Sequence, residues 1–184
     1  KGALRITDSV DDTLLELAVE SASRQIDGHC ERVFYNEVGT RIFTPSDSYV
    51  CIVDDVASLT SLKTSSDADG TFDVTWQATD YQAEPLNGKS GGLTVPITQF
   101  RAVGDYTFPT DSQDATVQVT GTFGFAEVPT AVRQASILLA SRQYKRYDSP
   151  LGVTGFGDLG VIRVSNIDPD IAKLLEPFMR VRMA

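Results

Sequence analysis

The apolar positions at the start of the chain repeat with the period of an α-helix. Between Ser9 and Arg32 an apolar stripe recurs every three or four residues: Leu15, Val19, Ala22, Ile26 and Cys30, widened by Leu14 and Ala18. This spacing predicts an amphipathic helix whose apolar face packs against a core. Ser9 with Asp12 resembles a capping box, and Arg32 suits the negative end of the helix dipole.

The middle of the chain follows a different pattern, with short β-prone runs separated by Asp, Gly, Ser and Pro. The runs are TRIFT, YVCIV, LTSLKT, TFDVTWQ, LTVPITQFRAV and ATVQVTGTF. Alternation at Val117 and Val119, and at Phe72, Val74 and Trp76, predicts strands with one packed and one wet face. We therefore expect an antiparallel β subdomain at about 38–125, inserted into a helical core of 8–34 and 128–184. The predicted fold is α+β, in a single domain.

The last third of the chain returns to helical spacing. A second long helix is predicted from Pro129 to about Tyr147, since Pro suits the first helical turn and a new stripe follows. Its members are Val132, Ala135, Leu138, Leu139 and Arg142, and its far end is basic, with Arg142, Lys145 and Arg146. These cations complement the helix dipole or meet an acidic partner, and an ordinary solvated helix end explains them equally.

The residues Asp168-Pro169-Asp170, a cap followed by proline in the first turn, predict the start of a short final helix. Its apolar face carries Ile171, Leu174, Leu175 and Phe178, and Pro177 should break or kink it. Packing on the helical core explains this face. The closing residues FMRVRMA combine Met179 with Arg180 and Arg182, a basic amphipathic tail suited to an acidic surface.

Composition limits the function classes. With 184 residues, 41% of them hydrophobic, the chain can bury one core. Residues 1–127 carry 8 basic and 20 acidic side chains, whereas residues 128–184 carry 8 basic and 5 acidic. An acidic body disfavours non-specific DNA binding, which needs a basic surface. No apolar run approaches the roughly 20 residues that span a bilayer, so we expect a soluble protein that is intracellular when made and has no membrane partner.

Few residues of the sequence suggest a catalytic or metal-binding site. Cys30 and Cys51 are expected to be buried free thiols, and His29 beside Cys30 is a poor start for a zinc site. The run SSDADGTFD could imitate a calcium loop, but Asp69-Gly70 indicates a hairpin turn. Neighbouring Asp54 and Asp55 should face opposite sides of a strand. We expect no metal, no cofactor and no enzymatic activity.

A glycine-rich segment connects the last two predicted helices. Gly155, Gly157 and Gly160 match the spacing of a dinucleotide-binding fingerprint, G-x-G-x-x-G. The residues that follow are VIRV, which is strand-like, whereas a phosphate-binding loop leads into a helix. A flexible or closely packed loop is therefore the interpretation that the residues favour.

Two blocks carry a family resemblance: ASRQIDGHCERVF, near the start, and the stretch VPTAVRQASILLASRQYKRYDSPLGVTGFGDLGVIRVSNIDPDIAKLLEPF. In their order and style they resemble the head-tail connector (adaptor, or head-completion) proteins of long-tailed bacteriophages. The resemblance implies a structural virion protein that forms a ring, commonly twelvefold, beneath the portal. Its other face would receive a stopper or tail-completion protein, and DNA would pass without sequence-specific binding.

The resemblance also implies where contacts fall: the first helix packs against neighbours, the glycine loop meets subunits or the next ring, and the C-terminal segment reaches towards the portal. The candidate portal or subunit interface is Arg142, Lys145, Arg146, Gly155, Gly157, Gly160, Ile171, Leu174, Leu175, Phe178, Met179, Arg180 and Arg182. The implied location is the virion neck, after assembly in the bacterial cytoplasm. The alternatives are a tail-completion or tail-terminator component and an unrecognised hydrolase.

Overall fold

The computed structural model describes residues 11–67, 70–110, 115–147 and 168–180. The chain divides into two compact units. One, the helical unit, comprises Lys1–Arg32 and Val128–Ala184, and the other, the β unit, comprises Val33–Glu127. Within the described residues the helical unit contains three α-helices and the β unit an antiparallel sheet, so the predicted α+β class with an inserted β subdomain is confirmed.

The first helix, α1, is Asp12–Cys30, and it begins later than the sequence predicted. Its N-cap is Asp11, whose side chain makes no capping hydrogen bond; the predicted capping box rests on Ser9, which lies outside the described residues. At the other end Glu31 adopts a left-handed conformation with φ of 52°, and Arg32 N–H donates to the Asp27 carbonyl at 3.1 Å. That bond satisfies a terminal carbonyl and ends the helix.

One member of the predicted α1 stripe is misplaced. Ala18, Ala22, Ile26 and Cys30 are buried, but Val19 is 51% exposed. Each helical residue turns by about 100°, so a spacing of four advances the stripe by about 40° beyond a full turn. The buried stripe therefore drifts around α1, and at the level of Val19 it is centred on Ala18 and Ala22, which leaves Val19 at its edge.

The second and third helices agree closely with the sequence. Helix α2 is Thr130–Tyr147, and the Pro129 carbonyl accepts the hydrogen bond of Arg133 N–H at 3.0 Å. Helix α3 is Pro169–Leu175, and a 3-10 turn at Glu176–Phe178 follows it. The predicted break at Pro177 is confirmed, because α3 ends at Leu175, two residues before the proline, and a 3-10 turn follows.

Helices α1 and α2 are in contact, and both bury small side chains. Ala18 and Ala22 on α1 and Ala135 and Ala140 on α2 are buried. The Tyr144 hydroxyl, near the end of α2, donates to the Asp11 carboxylate at 2.7 Å, just before α1 begins. The two helices therefore run antiparallel, and α3 packs against α2.

The β unit is built on one main sheet with the strand order β1-β8-β2-β7-β4. Its strands are β1 Glu37–Phe43, β2 Val50–Thr64, β3 Val74–Thr75, β4 Tyr81–Glu84, β5 Lys89–Ser90, β6 Leu93–Thr94, β7 Ile97–Ala102 and β8 Val117–Phe123. All pairings are antiparallel; β3 pairs with β2 outside the main order, and β5 with β6 forms a separate small hairpin.

The sheet departs from the sequence expectations in two places. The runs YVCIV and LTSLKT belong to one strand, β2, which bends through irregularities in register between Val56 and Ser58 and between Leu59 and Ser61. The alternation predicted for 72–76 is wrong, because β3 has only two residues and Val74 is exposed. Trp76 is nevertheless buried, and its indole N–H is satisfied by donating to Thr64 Oγ1 at 3.0 Å.

The core of the β unit lies on one face of this sheet. The alternation predicted on β8 is confirmed, because Val117 and Val119 are fully buried. The ring of Trp76 stacks on Phe108 with a centroid distance of 4.5 Å. The buried cluster comprises Cys51, Val53, Val56, Leu62, Trp76, Phe100, Ala102, Phe108, Val117, Val119 and Phe123. The sheet and the loop at Phe108 thus bury a core of their own.

Candidate docking surfaces

The basic end of α2 contains two kinds of cation. Arg142 Nη1 lies 2.7 Å from Asp168 Oδ2, while Asp168 Oδ1 accepts the backbone N–H of Asp170 at 3.1 Å and so caps α3. Arg142 therefore ties α2 to the start of α3. Lys145 and Arg146, one turn further, project into solvent. Of the three predicted cations, these two are exposed and Arg142 is held within the helical unit.

Helix α3 faces inward with most of the residues predicted for an interface. Ile171, Leu175 and Phe178 are buried, and Leu174 is half-buried. Met179 is 44% exposed, directly after the 3-10 turn. The backbone N–H of Arg180 donates to the Cys30 carbonyl at 3.0 Å, which fastens the end of this segment to the end of α1.

Four of the predicted interface residues cannot be placed. Gly155, Gly157, Gly160 and Arg182 lie outside the described residues, as does Asp69 of the predicted hairpin turn. Their assignment stays a prediction from the sequence.

Sequence reasoning missed exposed apolar residues on the two long helices. Leu17 lies on the polar face of α1, among residues such as Glu16 and Glu20, and is exposed. Ile137 on α2 is likewise exposed, off the buried stripe of that helix. The signal in the sequence was an isolated apolar residue among polar ones, which single exposed side chains on any protein also produce. Together with Val19, these residues give the helical unit apolar surface on both long helices.

The two units differ in charge. The β unit contains four basic and thirteen acidic residues, which is a net charge of -9, whereas the helical unit contains twelve of each and is neutral. The division of the sequence into an acidic first part and a basic last part therefore does not coincide with the two units of the fold. The acidic residues of α1 share a unit with the basic residues of α2, and the entire net charge of the chain belongs to the β unit.

Some acidic side chains of the β unit are held by hydrogen bonds. Arg101 Nε donates to Glu84 Oε1 at 2.8 Å, and this bond lowers the pKa of the Glu84 carboxyl. In the loop between β2 and β3, the Asp73 carboxylate accepts the Ser66 hydroxyl at 2.8 Å and the Ser66 backbone N–H at 3.0 Å. These bonds lower the pKa of Asp73.

Both oxygens of the Asp73 carboxylate accept hydrogen bonds from Ser66, and Gly70 has a φ of 83°, a conformation that glycine adopts readily. Asp69, which the calcium-loop and hairpin interpretations share, lies outside the described residues, so the hairpin turn stays a prediction. Within the described residues, no group of three or more His, Cys, Asp or Glu side chains is placed to hold a metal ion.

The neighbouring carboxylates Asp54 and Asp55 have different surroundings. Asp54 accepts a hydrogen bond from Arg41 at 2.9 Å, whereas Asp55 is buried.

The two thiols behave as predicted from composition. Cys30 and Cys51 are both free and buried. Burial raises the pKa of Cys30 to about 11 and that of Cys51 to about 12. A thiol reacts as its thiolate, so neither side chain is poised as a nucleophile.

Among the described residues, none of the helices combines the length and the hydropathy that crossing a membrane would require.

Three solved structures share this fold over most of the chain. One is a chain in the neck of a native GTA (gene transfer agent) particle computed with C12 symmetry: TM-score 0.56, 19% identity, covering 92% of this chain and 84% of that one. A chain in the neck of an empty GTA particle computed with C6 symmetry gives a TM-score of 0.57 and 18% identity, covering 100% and 88%. A chain in the virion of the native particle gives 0.50 and 19%, covering 97% and 82%.

By sequence, neither a protein-family model nor a curated protein matches this chain. At 18–19% identity the structural likeness establishes the fold, and it covers both the helical unit and the β unit. The chain therefore has the α+β fold of chains found in the neck of a particle with cyclic symmetry.

Proposed function

We propose that this protein is a head-tail connector adaptor, a structural component of a virion neck that forms a ring beneath the portal and leaves a channel for DNA. The observation that carries the proposal is the shared fold, over 92–100% of the chain, with chains in necks computed with C12 and C6 symmetry. The family resemblance of the sequence blocks points to the same class independently. The role is structural, without a catalytic step.

A closed ring needs two different complementary patches on each subunit, because its contacts are head to tail. The helical unit offers candidates on separate helices: Leu17 and Val19 on α1 and Ile137 on α2. Exposed apolar side chains such as these are stabilised when a neighbour covers them. Neutral overall charge lets copies of this unit approach each other without net repulsion. The helices therefore supply the contacts between subunits in the proposed ring.

The portal contact is proposed for Lys145 and Arg146 at the C-terminal end of α2 and, apart from them, for Met179, whose neighbour Arg180 bonds to the C-terminal end of α1. The two cations suit an acidic surface, and the thioether adapts to an irregular apolar one. Ile171, Leu175 and Phe178 support this surface from within, because they are buried and anchor α3. Gly155, Gly157, Gly160 and Arg182 keep their proposed place in the same interface on the strength of the sequence.

The passage of DNA is consistent with the charge of the β unit. A net charge of -9 repels phosphate, so the unit does not retain DNA by counterion release. DNA can then move through the ring without sequence-specific binding. A stopper or tail-completion protein would take the ring face away from the portal.

The first experiment mixes the protein with portal rings of its own virus and follows binding by co-sedimentation and electron microscopy. Wild type should cap the portal as a ring. Lys145→Glu combined with Arg146→Glu should weaken capping about tenfold at low salt, about 1.4 kcal/mol. The loss should shrink at high salt, since exposed charges are screened.

The matched control is Arg133→Glu, an exposed cation near the other end of α2, which should leave capping unchanged. Point variants are preferable to truncation after Pro169, because truncation removes Ile171, Leu175 and Phe178 from the core. No capping by wild type at any salt would overturn the adaptor proposal. Binding to isolated tail tubes without portal would identify a tail-completion or tail-terminator component instead.

The hydrolase alternative has a separate test. A metal ion that binds only the folded state raises the melting temperature. The structural proposal includes no metal site, so divalent metal ions should leave the melting temperature unchanged. A metal-dependent rise would contradict the purely structural role.

A further inference from the structure

The two edges of the main sheet differ in how they are protected. Strand β4 at one edge has four half-buried residues, ends at Pro85, and places Glu84 against Arg101. A short edge strand that stops at a proline is a poor template for another strand. This edge is blunted.

Strand β1 at the other edge is unprotected. Its seven residues pair with β8 in an unbroken register from Glu37↔Phe123 to Phe43↔Val117, and among the described residues no strand lies on its other side. It contains no proline, lysine or bulge, and its two charged residues, Glu37 and Arg41, pair with each other on the face of the Phe123 ring. Its opposite, exposed face carries Val38, which is 82% exposed, and Ile42, which is 57% exposed. A long, regular edge with exposed apolar side chains is a template for another strand.

The sheet surface beside this edge is almost without charge, within a unit whose net charge is -9. Thr120 and Thr122 of β8 lie next to Thr40 and Val38, and the Thr40 and Thr120 hydroxyls are 2.9 Å apart. An uncharged area on an acidic unit lets two copies approach there, because electrostatic repulsion is weakest at that place.

We propose that β1 pairs antiparallel with β1 of a second copy, about a two-fold axis at Thr40. The sequence of the strand, EVGTRIF, is complementary to itself in this register. Val38 of each copy lies opposite the partner's Ile42, and Thr40 lies opposite the partner's Thr40. Opposed β-branched residues stabilise a strand pair. An isologous contact of this kind needs only one patch.

The other face of β1 also fits this register. Arg41 Nη2 lies 2.8 Å from Glu37 Oε2 of its own chain and faces the partner's Gly39, which leaves room for the guanidinium. The partner's Glu37 is then a diagonal neighbour, within reach of a long side chain. The partner's Arg41 is the other diagonal neighbour, and the guanidinium of each Arg41 stays neutralised by Glu37 and Asp54 of its own chain, so no unpaired like charges lie directly opposite each other. The contact concerns the chain outside the proposed ring, because a cyclic ring has no two-fold axis of this kind.

Sedimentation of the purified protein tests the pairing. Wild type should reach twice the mass of one chain as concentration rises, and Val38→Lys combined with Ile42→Lys should stay monomeric, because lysines then oppose lysines. The matched control is Val74→Lys on β3, an exposed strand valine, which should still dimerise. A monomeric wild type at the highest soluble concentration, or an unaffected lysine double variant, would overturn the proposal.

Cysteine cross-linking tests the register. Thr40→Cys should form a disulfide-linked dimer on mild oxidation, while Val38→Cys and Ile42→Cys should each fail alone and cross-link when mixed. Both native thiols are buried and should not interfere. Cross-linking of Val38→Cys with Thr40→Cys, but not of Thr40→Cys with itself, would contradict the proposed axis. The ring proposal would be untouched by any of these results.

Discussion

The helical unit and the β unit are stabilised in different ways. The β unit buries large aromatic side chains, Phe100, Phe108 and Phe123, on one face of its sheet. Among its described residues, the helical unit buries alanines on α1 and α2 together with Ile171, Leu175 and Phe178 from α3 and the turn after it. It also exposes single apolar residues on both long helices.

The charges divide in the same way. The β unit carries the whole net charge of -9, and the helical unit is neutral. Leu17, Val19 and Ile137 are exposed on the neutral helical unit, and this apolar surface is the part of the chain on which the proposed ring contacts depend. The β unit differs in both respects, since it carries the charge and a compact aromatic core.

The largest expected effect tests the core of the β unit. Phe100→Ala should lower the free energy of unfolding by about 3–5 kcal/mol, because Phe100 is fully buried and packs edge-on against Tyr81. Urea denaturation measures the loss.

Thiol labelling tests whether the two units unfold separately. In Phe100→Ala, Cys51 of the β unit should become reactive before Cys30 of the helical unit. Leu175→Ala should reverse that order, and simultaneous labelling in both variants would show that the units unfold together.

A smaller effect tests how tightly the sheet strands approach. Gly121 and Gly39 lie opposite each other on β8 and β1. A methyl group on Gly121 would overlap the Ser58 carbonyl oxygen, whereas Gly39 has nothing within 4 Å of that position. Gly121→Ala should therefore cost about 1–3 kcal/mol. Gly39→Ala should stay within about 0.5 kcal/mol. Equal losses in thermal unfolding would contradict this asymmetry.

In the helical unit, Asp168 performs two tasks that can be separated. Asp168→Ala removes both the α3 cap and the pair with Arg142 and should cost about 1–2 kcal/mol. Asp168→Asn keeps the cap and loses only an exposed ion pair, which is worth about 0–1 kcal/mol. Chemical denaturation of the two variants measures the difference. If asparagine were as damaging as alanine, the ion pair would be the stronger link.

The smallest effect concerns acid stability of the β unit. The Ser66 bonds hold the pKa of Asp73 below its ordinary value. The stability they contribute is present above the ordinary carboxyl pKa and is lost as pH falls through the lowered value. Ser66→Ala should raise the pKa of Asp73, though not fully, since the Ser66 backbone N–H still donates. An NMR titration of the carboxyl carbon measures it, and an unchanged pKa would show that the hydroxyl contributes nothing.

The sequence anticipated elements better than their exposure. Helix α2, the Asp168 cap and the break at Pro177 were read correctly, because caps, prolines and helical spacing act locally. The strand alternation at Val117 and Val119 was read equally well. The burial of Val19 and the alternation at Val74 were wrong, because each depends on which neighbour packs there.

The candidate interface shows the same limit. Arg142, Lys145 and Arg146 are equivalent in the sequence, but only the structure shows that Arg142 is tied to Asp168. Similarly, Ile171 and Leu175 formed an apolar stripe that could have faced a partner or a core, and the fold buries both. Spacing defines a face; it does not say what covers that face.

By itself the sequence determined the α+β class, the order of the helices and the sheet, the two buried thiols and the overall negative charge, since these follow from local periodicity and composition. Only the tertiary structure decided how that charge divides between the units, which cations remain exposed, and that β1 is the edge strand of the described sheet. These depend on contacts between residues far apart in the chain. Val38 and Thr122, for example, are neighbours only because β1 pairs with β8.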